Sequence, residues 1–137
     1  MRFWRIVAGH RETPEDEEVK SMLLGDWLRN NYVAIGHRRT HPLYREFIAI
    51  KKNDKVVVTT DGYIWALGTV TNDELIPMRR TAHLYPHKKE VIWNKVMKLS
   101  YASFPSPLRN KLGYQKAINE LRPDDWTTLL LYIHLNL

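Results

Sequence analysis

Six histidines, two carboxylate clusters and a large set of aromatic and basic side chains are the groups in this 137-residue chain that could do chemistry. His37/His41 and His83/His87 are pairs four residues apart, the spacing that sets two imidazoles on one helical face for a metal. Pro86 interrupts a helix through the second pair, and neither pair has an obvious carboxylate or third histidine beside it, so no metal site is expected. Glu18-Val19-Lys20 matches the tail of a nuclease pattern, but without the upstream aspartate that such a site needs. Asp124-Asp125 follows Pro123 and reads as the acidic first turn of a helix rather than as a catalytic carboxylate pair. The chain has no glycine-rich phosphate loop and no serine on a strand-to-helix elbow, and it has no cysteine for thiolate chemistry or disulfides. Catalysis by this chain alone is the least supported class, and no cofactor is expected.

What remains is aromatic surface beside positive charge. The chain carries five Trp and seven Tyr and a net charge of +6, and the stretch from Arg79 to Arg122 holds ten Lys/Arg against two acids, Glu90 and Glu120. A cationic excess concentrated in one part of the chain is the electrostatic footprint of a polyanion-binding surface. Stacking a base on an aromatic side chain contributes about 1–3 kcal/mol, so a few exposed rings near such a surface suffice for a nucleic-acid site. Trp4, Trp93 and Trp126 fall on expected core faces, whereas Tyr32, Tyr63, Trp65 and Tyr85 lie next to turns or basic loops. For these four, strand packing competes evenly with a binding role, because aromatics favour strands in any case.

The elements that must position these residues centre on Phe47–Val70. Val56, Val57 and Val58 suit a strand, Asp61-Gly62 supplies a two-residue hairpin turn, and Tyr63–Val70 returns as the partner. Phe3–Val7 reads as an opening strand. Thr13-Pro14-Glu15-Asp16 is a helix start, with Gly25 expected to end or kink that helix. Asn30-Asn31 turns the chain into a strand at Tyr32–Ile35, and Leu43, Phe47 and Ile50 mark a short helix. Further on, the pattern predicts an edge strand at Leu75–Pro77, an exposed basic loop from Arg79 to Lys89, a strand from Glu90 to about Val96, and a rigid linker at Ser103–Pro107. Tyr114–Leu121 shows helical spacing, and a last helix runs from Trp126 to about His134. This order gives one α+β domain over residues 1–137, a small mixed sheet or barrel of five or six strands with helices packed around it. No apolar run reaches membrane length and the N-terminal region turns acidic early, so a cytoplasmic protein with no membrane partner is expected.

Five short motifs in this order resemble the EVE domains of the PUA-like/YTH superfamily. They are FWRIVAG at the start, YVAIG, F-x-x-I-x-K-x-D-x-V-V, W-A-L-G-T-V and H-K-K-E-V-I-W; the ending LGYQKAINELRPDDWTTLL is similar to the C-terminal helices of archaeal EVE-type proteins. The resemblance implies a PUA-like barrel that holds a modified base, flipped from its strand, in an aromatic pocket. It also implies the setting of the N-terminal specificity domain of archaeal McrB-type restriction systems, partnered by an AAA+ motor or nuclease outside this chain. Carried over by residue, the first pocket wall falls at Ala34, where relatives have tryptophan, or at His37, with Tyr32 nearby. Trp65, Tyr63 and Tyr85 are candidates for the opposite wall, and His10 for reading the base edge. Arg38, Arg39, Arg79, Arg80, Lys88 and Lys89 are the expected phosphate contacts. DNA is the favoured partner. An RNA-binding module and a protein-interaction domain are the alternatives.

Overall fold

β-Branched and aromatic residues build a sheet whose two faces are both covered. In the computed structural model, which describes residues 1–8, 17–36, 39–77 and 87–137 and the side chains of its first helix from residue 23 onward, the elements are β1 (Phe3–Val7), α1 (Glu17–Asn30), β2 (Tyr32–Ile35), α2 (Pro42–Ala49), β3 (Lys55–Thr60), β4 (Tyr63–Val70), β5 (His87–Ser100), α3 (Ser106–Leu112), β6 (Ile118–Leu121) and α4 (Pro123–Asn136). The strands form one mixed six-stranded sheet in the order β2-β5-β4-β3-β1-β6, curled into a half-barrel. β1 runs parallel to β3 and the other neighbours are antiparallel. Alternation along β3 shows why both faces are filled: Val56 and Val58 join a core with Trp27, Phe47 and Ile35, while Val57 joins a second core with Leu108, Trp126 and Leu129.

The expected hairpin forms as the sequence indicates. Asp61 and Gly62 have φ of 54° and 83°, the two positive values that a tight right-twisting hairpin requires. α2 begins with His41, whose Nδ1 accepts from the Leu43 amide at 3.1 Å, and with Pro42 in the first turn. At α4 the Asp125 carboxylate accepts from the Arg122 amide at 2.7 Å and pairs with Lys111 at 2.6 Å, tying α3 to α4.

Several expectations are corrected. α1 continues through Gly25 to Asn30, because Leu24 and Trp27 bury on either side of the glycine and packing overrides its low propensity. Ile118–Leu121 is a strand, not a helix, since hydrogen-bonding to β1 satisfies its backbone and buries Ile118 and Leu121. The segment expected as a linker instead opens α3, and Leu75–Pro77 forms no strand although the Ile76 amide donates to the Lys88 carbonyl. β5 is 14 residues long, twice the expected length. Trp93 is half-buried rather than core. The helix start at Thr13–Asp16 lies outside the described residues.

β2 pairs with β5 only from His87 to Glu90, so the outer edge of β5 beyond Val91 has no strand partner among the described residues. Register shifts opposite Ile64/Ala66 and Leu67/Gly68 bulge this strand twice, and Lys95 and Lys98 stand along it. Bulges and lysines are what keep an exposed edge from pairing with another chain.

Two buried polar groups lock the middle of the chain. The Asp54 carboxylate accepts from the Arg2 amide, the Trp4 indole and the Lys51 amide at 2.9–3.0 Å, joining β1 to the turn before β3. Lys89, expected on the surface as a phosphate contact, is fully buried. Its ammonium donates to the carbonyls of Ile48 and Ile50 at the end of α2 and of Asp73 beyond β4. A group spent in this way cannot meet a phosphate. Burial, with a smaller effect from Lys51, pulls its pKa down to about 8.

Two outcomes are expected. Lys89→Met leaves three carbonyls without their donor and lowers stability by about 2–4 kcal/mol in urea unfolding. Because the folded pKa of Lys89 is depressed, the stability linked to its neutral form is fully present above about 10.5 and lost as the pH falls through about 8. The gap between wild type and Lys89→Met therefore widens from pH 8 to pH 10. Secondly, a Cβ on Gly68 would lie 2.9 Å from Cε3 of Trp93 and 3.2 Å from the Ile92 carbonyl. Gly68→Ala displaces that indole and costs about 1–3 kcal/mol by thermal melting.

Candidate nucleic-acid interface

Trp65 and the helix α1 face each other across the sheet end next to the Asp61-Gly62 turn. The indole of Trp65 is half-buried and its Nε1 donates to the Thr60 carbonyl at 3.1 Å, which fixes the plane of the ring. Between this ring and α1 lies a cavity of about 330 Å³. Leu24, Gly25 and Leu28 of α1 form one wall, Val96 and Met97 of β5 another, and Thr60 and Asp61 the polar end. That volume is at the small end of ligand pockets, the size of a single ring system with its substituents. α1 is held at this distance by Trp93, which rests on Gly68 and donates its Nε1 to the Trp27 carbonyl at 3.1 Å.

Outside the cavity stands Tyr63, its ring centroid 6.0 Å from that of Trp65 and tilted by 56°. The Lys98 ammonium lies 5.0 Å from the Tyr63 centroid and 5.4 Å from that of Trp65. Cavity, two aromatic rings and an exposed cation thus share one end of β4 and β5. Such a set can stack a planar group, enclose an apolar substituent and neutralise an anion.

The other sequence-derived residues do not join them. Tyr32 is buried in the core, its hydroxyl donates to the Asp26 carboxylate, and burial followed by Asp26 raises its pKa. The Lys88 ammonium lies over its ring at 4.5 Å, and at 7% exposure that ring is closed to a base. Tyr32 is opposite Glu90, while Trp65 lies between residues opposite Val96 and Leu99. At about 3.3 Å per residue that is about 25 Å of strand, more than one base pocket spans. Ala34, where the relatives' tryptophan falls, is buried in β2. Lys88 and Arg39 are at the β2 end of the molecule's charge, half-buried and exposed respectively, and Tyr44 meets His87 edge-on there at 4.8 Å. His10, His37, Arg38, Arg79, Arg80 and Tyr85 lie outside the described residues. Among the described residues no three His, Asp or Glu converge as a metal site, and no helix is long and apolar enough to cross a membrane.

Sequence reasoning missed the α1 wall and the cation. Leu24 and Leu28 were not singled out, since nothing in their type or spacing separates a cavity wall from ordinary helix packing. Lys98 lay beyond the expected end of β5, although apolar Met97 and Leu99 alternating with polar Lys98 and Ser100 were a signal that the strand continued.

No family model matches the chain, and no curated protein does. Solved structures do. The YTH domain of the Zygosaccharomyces rouxii MRB1 protein, in complex with N6-methyladenosine RNA, superposes with a TM-score of 0.62 at 13% identity, covering 96% of this chain and 85% of that one. The Mmi1 YTH domain gives 0.64 at 8% identity over 98% of both chains. Rpa0253 from Rhodopseudomonas palustris gives 0.59 at 11% identity over 98% of this chain and 94% of that one. At these identities the likeness concerns architecture: the chain has the fold of the YTH domains.

Proposed function

We propose that the chain is a non-catalytic reader of a modified base in nucleic acid, and that the base enters the cavity walled by Trp65. The observation that carries this is the half-open apolar cavity with a fixed indole on one side and the Lys98 ammonium 5.4 Å from the centroid of that indole. A base would stack on Trp65, an added methyl group would meet Leu24, Leu28 and Val96, and Thr60 and Asp61 would face its polar edge. Extruding a base costs a few kcal/mol, least from a single strand, and stacking with phosphate contacts offsets it. Arg39, Lys88, Lys95 and, outside the described residues, Arg38, Arg79 and Arg80 supply those phosphate contacts, which position the strand without reading its sequence.

The motif resemblance favours DNA and the role of specificity module in a McrB-type restriction system, working with an AAA+ motor or nuclease in the cytoplasm. RNA is the second reading, favoured by structural neighbours bound to methyladenosine RNA, MRB1 among them. Both use the same cavity.

Tryptophan-fluorescence titrations test this with matched oligonucleotides: plain DNA, DNA with methyladenine or methylated or hydroxymethylated cytosine, and RNA of the same sequence with and without methyladenosine. One modified oligonucleotide is expected to bind at least about tenfold tighter than its plain counterpart. Trp65→Ala erases that preference. Val96→Phe, at a largely exposed position, closes the cavity with the same effect while changing stability by no more than about 0.5 kcal/mol. Replacing Arg79 and Arg80 together weakens binding to every sequence and flattens the salt dependence by about 1.4 in slope for a single strand. An undiminished preference in Trp65→Ala moves the pocket away from this cavity, and no binding to any oligonucleotide at low salt removes the function.

A further inference from the structure

Tyr63 and Lys98 have no part in enclosing the Trp65 cavity, yet they are built against its mouth. Tyr63 is half-buried, so part of its ring is open to solvent, and the turn at Asp61-Gly62 and its pairing with Ser100 hold its backbone. Its ring is inclined at 56° to Trp65 rather than parallel to it. Two bases stacked on these rings would therefore no longer be stacked on each other, which is the relation between a base turned out of its strand and the base next to it. Lys98 lies about equally far from the two rings, at 5.0 and 5.4 Å, and pairs with no described carboxylate. Its ammonium stands where the single phosphate joining two such nucleotides would pass.

We propose that Tyr63 and Lys98 form a subsite for the nucleotide adjacent to the modified one: Tyr63 stacks the neighbouring base and Lys98 neutralises the phosphate between them. The proposal rests on the Trp65 cavity being the base pocket. It makes the protein a reader of a dinucleotide step rather than of one base. Stacking tolerates any neighbouring base, because every base has a flat face. What the subsite rejects is a missing neighbour.

The experiment uses oligonucleotides carrying the preferred modified base with its neighbour intact, or replaced by an abasic residue on the 5′ or the 3′ side. Wild type is expected to bind one of the two abasic oligonucleotides about tenfold more weakly than the intact one, and the other unchanged. Tyr63→Leu binds all three alike, at the level of wild type on the penalised oligonucleotide, and still prefers the modified base over the plain one. Tyr63→Phe behaves as wild type. Lys98→Ala lowers the salt slope by about 0.7 whether or not the neighbour is abasic. If wild type prefers the modified base but ignores both abasic substitutions, or if Tyr63→Leu keeps the abasic penalty, the subsite is overturned while the base pocket stands. If wild type has no preference for any modified base, the pocket and the subsite fall together.

Discussion

Everything at the candidate site depends on where α1 is held above the sheet, and one contact sets that height. Trp93 packs directly against Gly68, where even a Cβ would come within 2.9 Å of its ring, and its indole N–H reaches the Trp27 carbonyl. The helix is thus fixed to β5 by a hydrogen bond and packed through Leu24 and Trp27, but it is not drawn down onto Trp65. A larger residue at Gly68 or a smaller one at Trp93 would change the width of the cavity without touching its walls. The open space beside Trp65 is therefore a consequence of packing at a distance, and such spaces persist only where surrounding contacts hold them open.

The buried polar groups perform the same service for the opposite end of the sheet. Asp54 joins the first strand to the turn before β3, and Lys89 joins the end of α2 and the segment after β4 through backbone carbonyls alone. Burying an ammonium without a carboxylate is costly, and its depressed pKa shows the cost. In return two chain segments that have no strand pairing with it are fixed to β5. Positive charge in this chain accordingly divides into a structural part, with Lys89 and the buried Arg5, and a part on the surface. Arg5 is held by Thr59, Asn119 and the Lys116 carbonyl, and burial lowers its pKa to about 10.

The hairpin and the strands flanking it were legible because local chemistry and tertiary packing agree there: Asp61-Gly62 can only turn, and three consecutive valines can be buried on both faces. The second half was not. Tyr114–Leu121 has helical spacing, but a four-residue strand at a sheet edge is decided by its partner β1 and carries no period of its own. Gly25 looked like a stop, yet the neighbours that bury beside it are invisible in sequence. Lys88 and Lys89 are adjacent and chemically identical, and alternation sends one over the Tyr32 ring and the other into the core. Trp65 was legible as a candidate, but its companions were not. Leu24, Leu28 and Met97 are more than thirty residues away from it in the chain and became its neighbours only when the sheet curled.

The central claim is that Trp65, among five tryptophans, receives the base. Resolving the indole N–H resonances of the protein during addition of the preferred modified oligonucleotide tests this most directly. Trp4 is fixed on Asp54 and Trp93 on the Trp27 carbonyl, so both are internal references. If Trp65 receives the base, its resonance, assigned by its loss in Trp65→Phe, shifts with occupancy while those two stay in place. A saturated complex in which Trp65 does not move would contradict it.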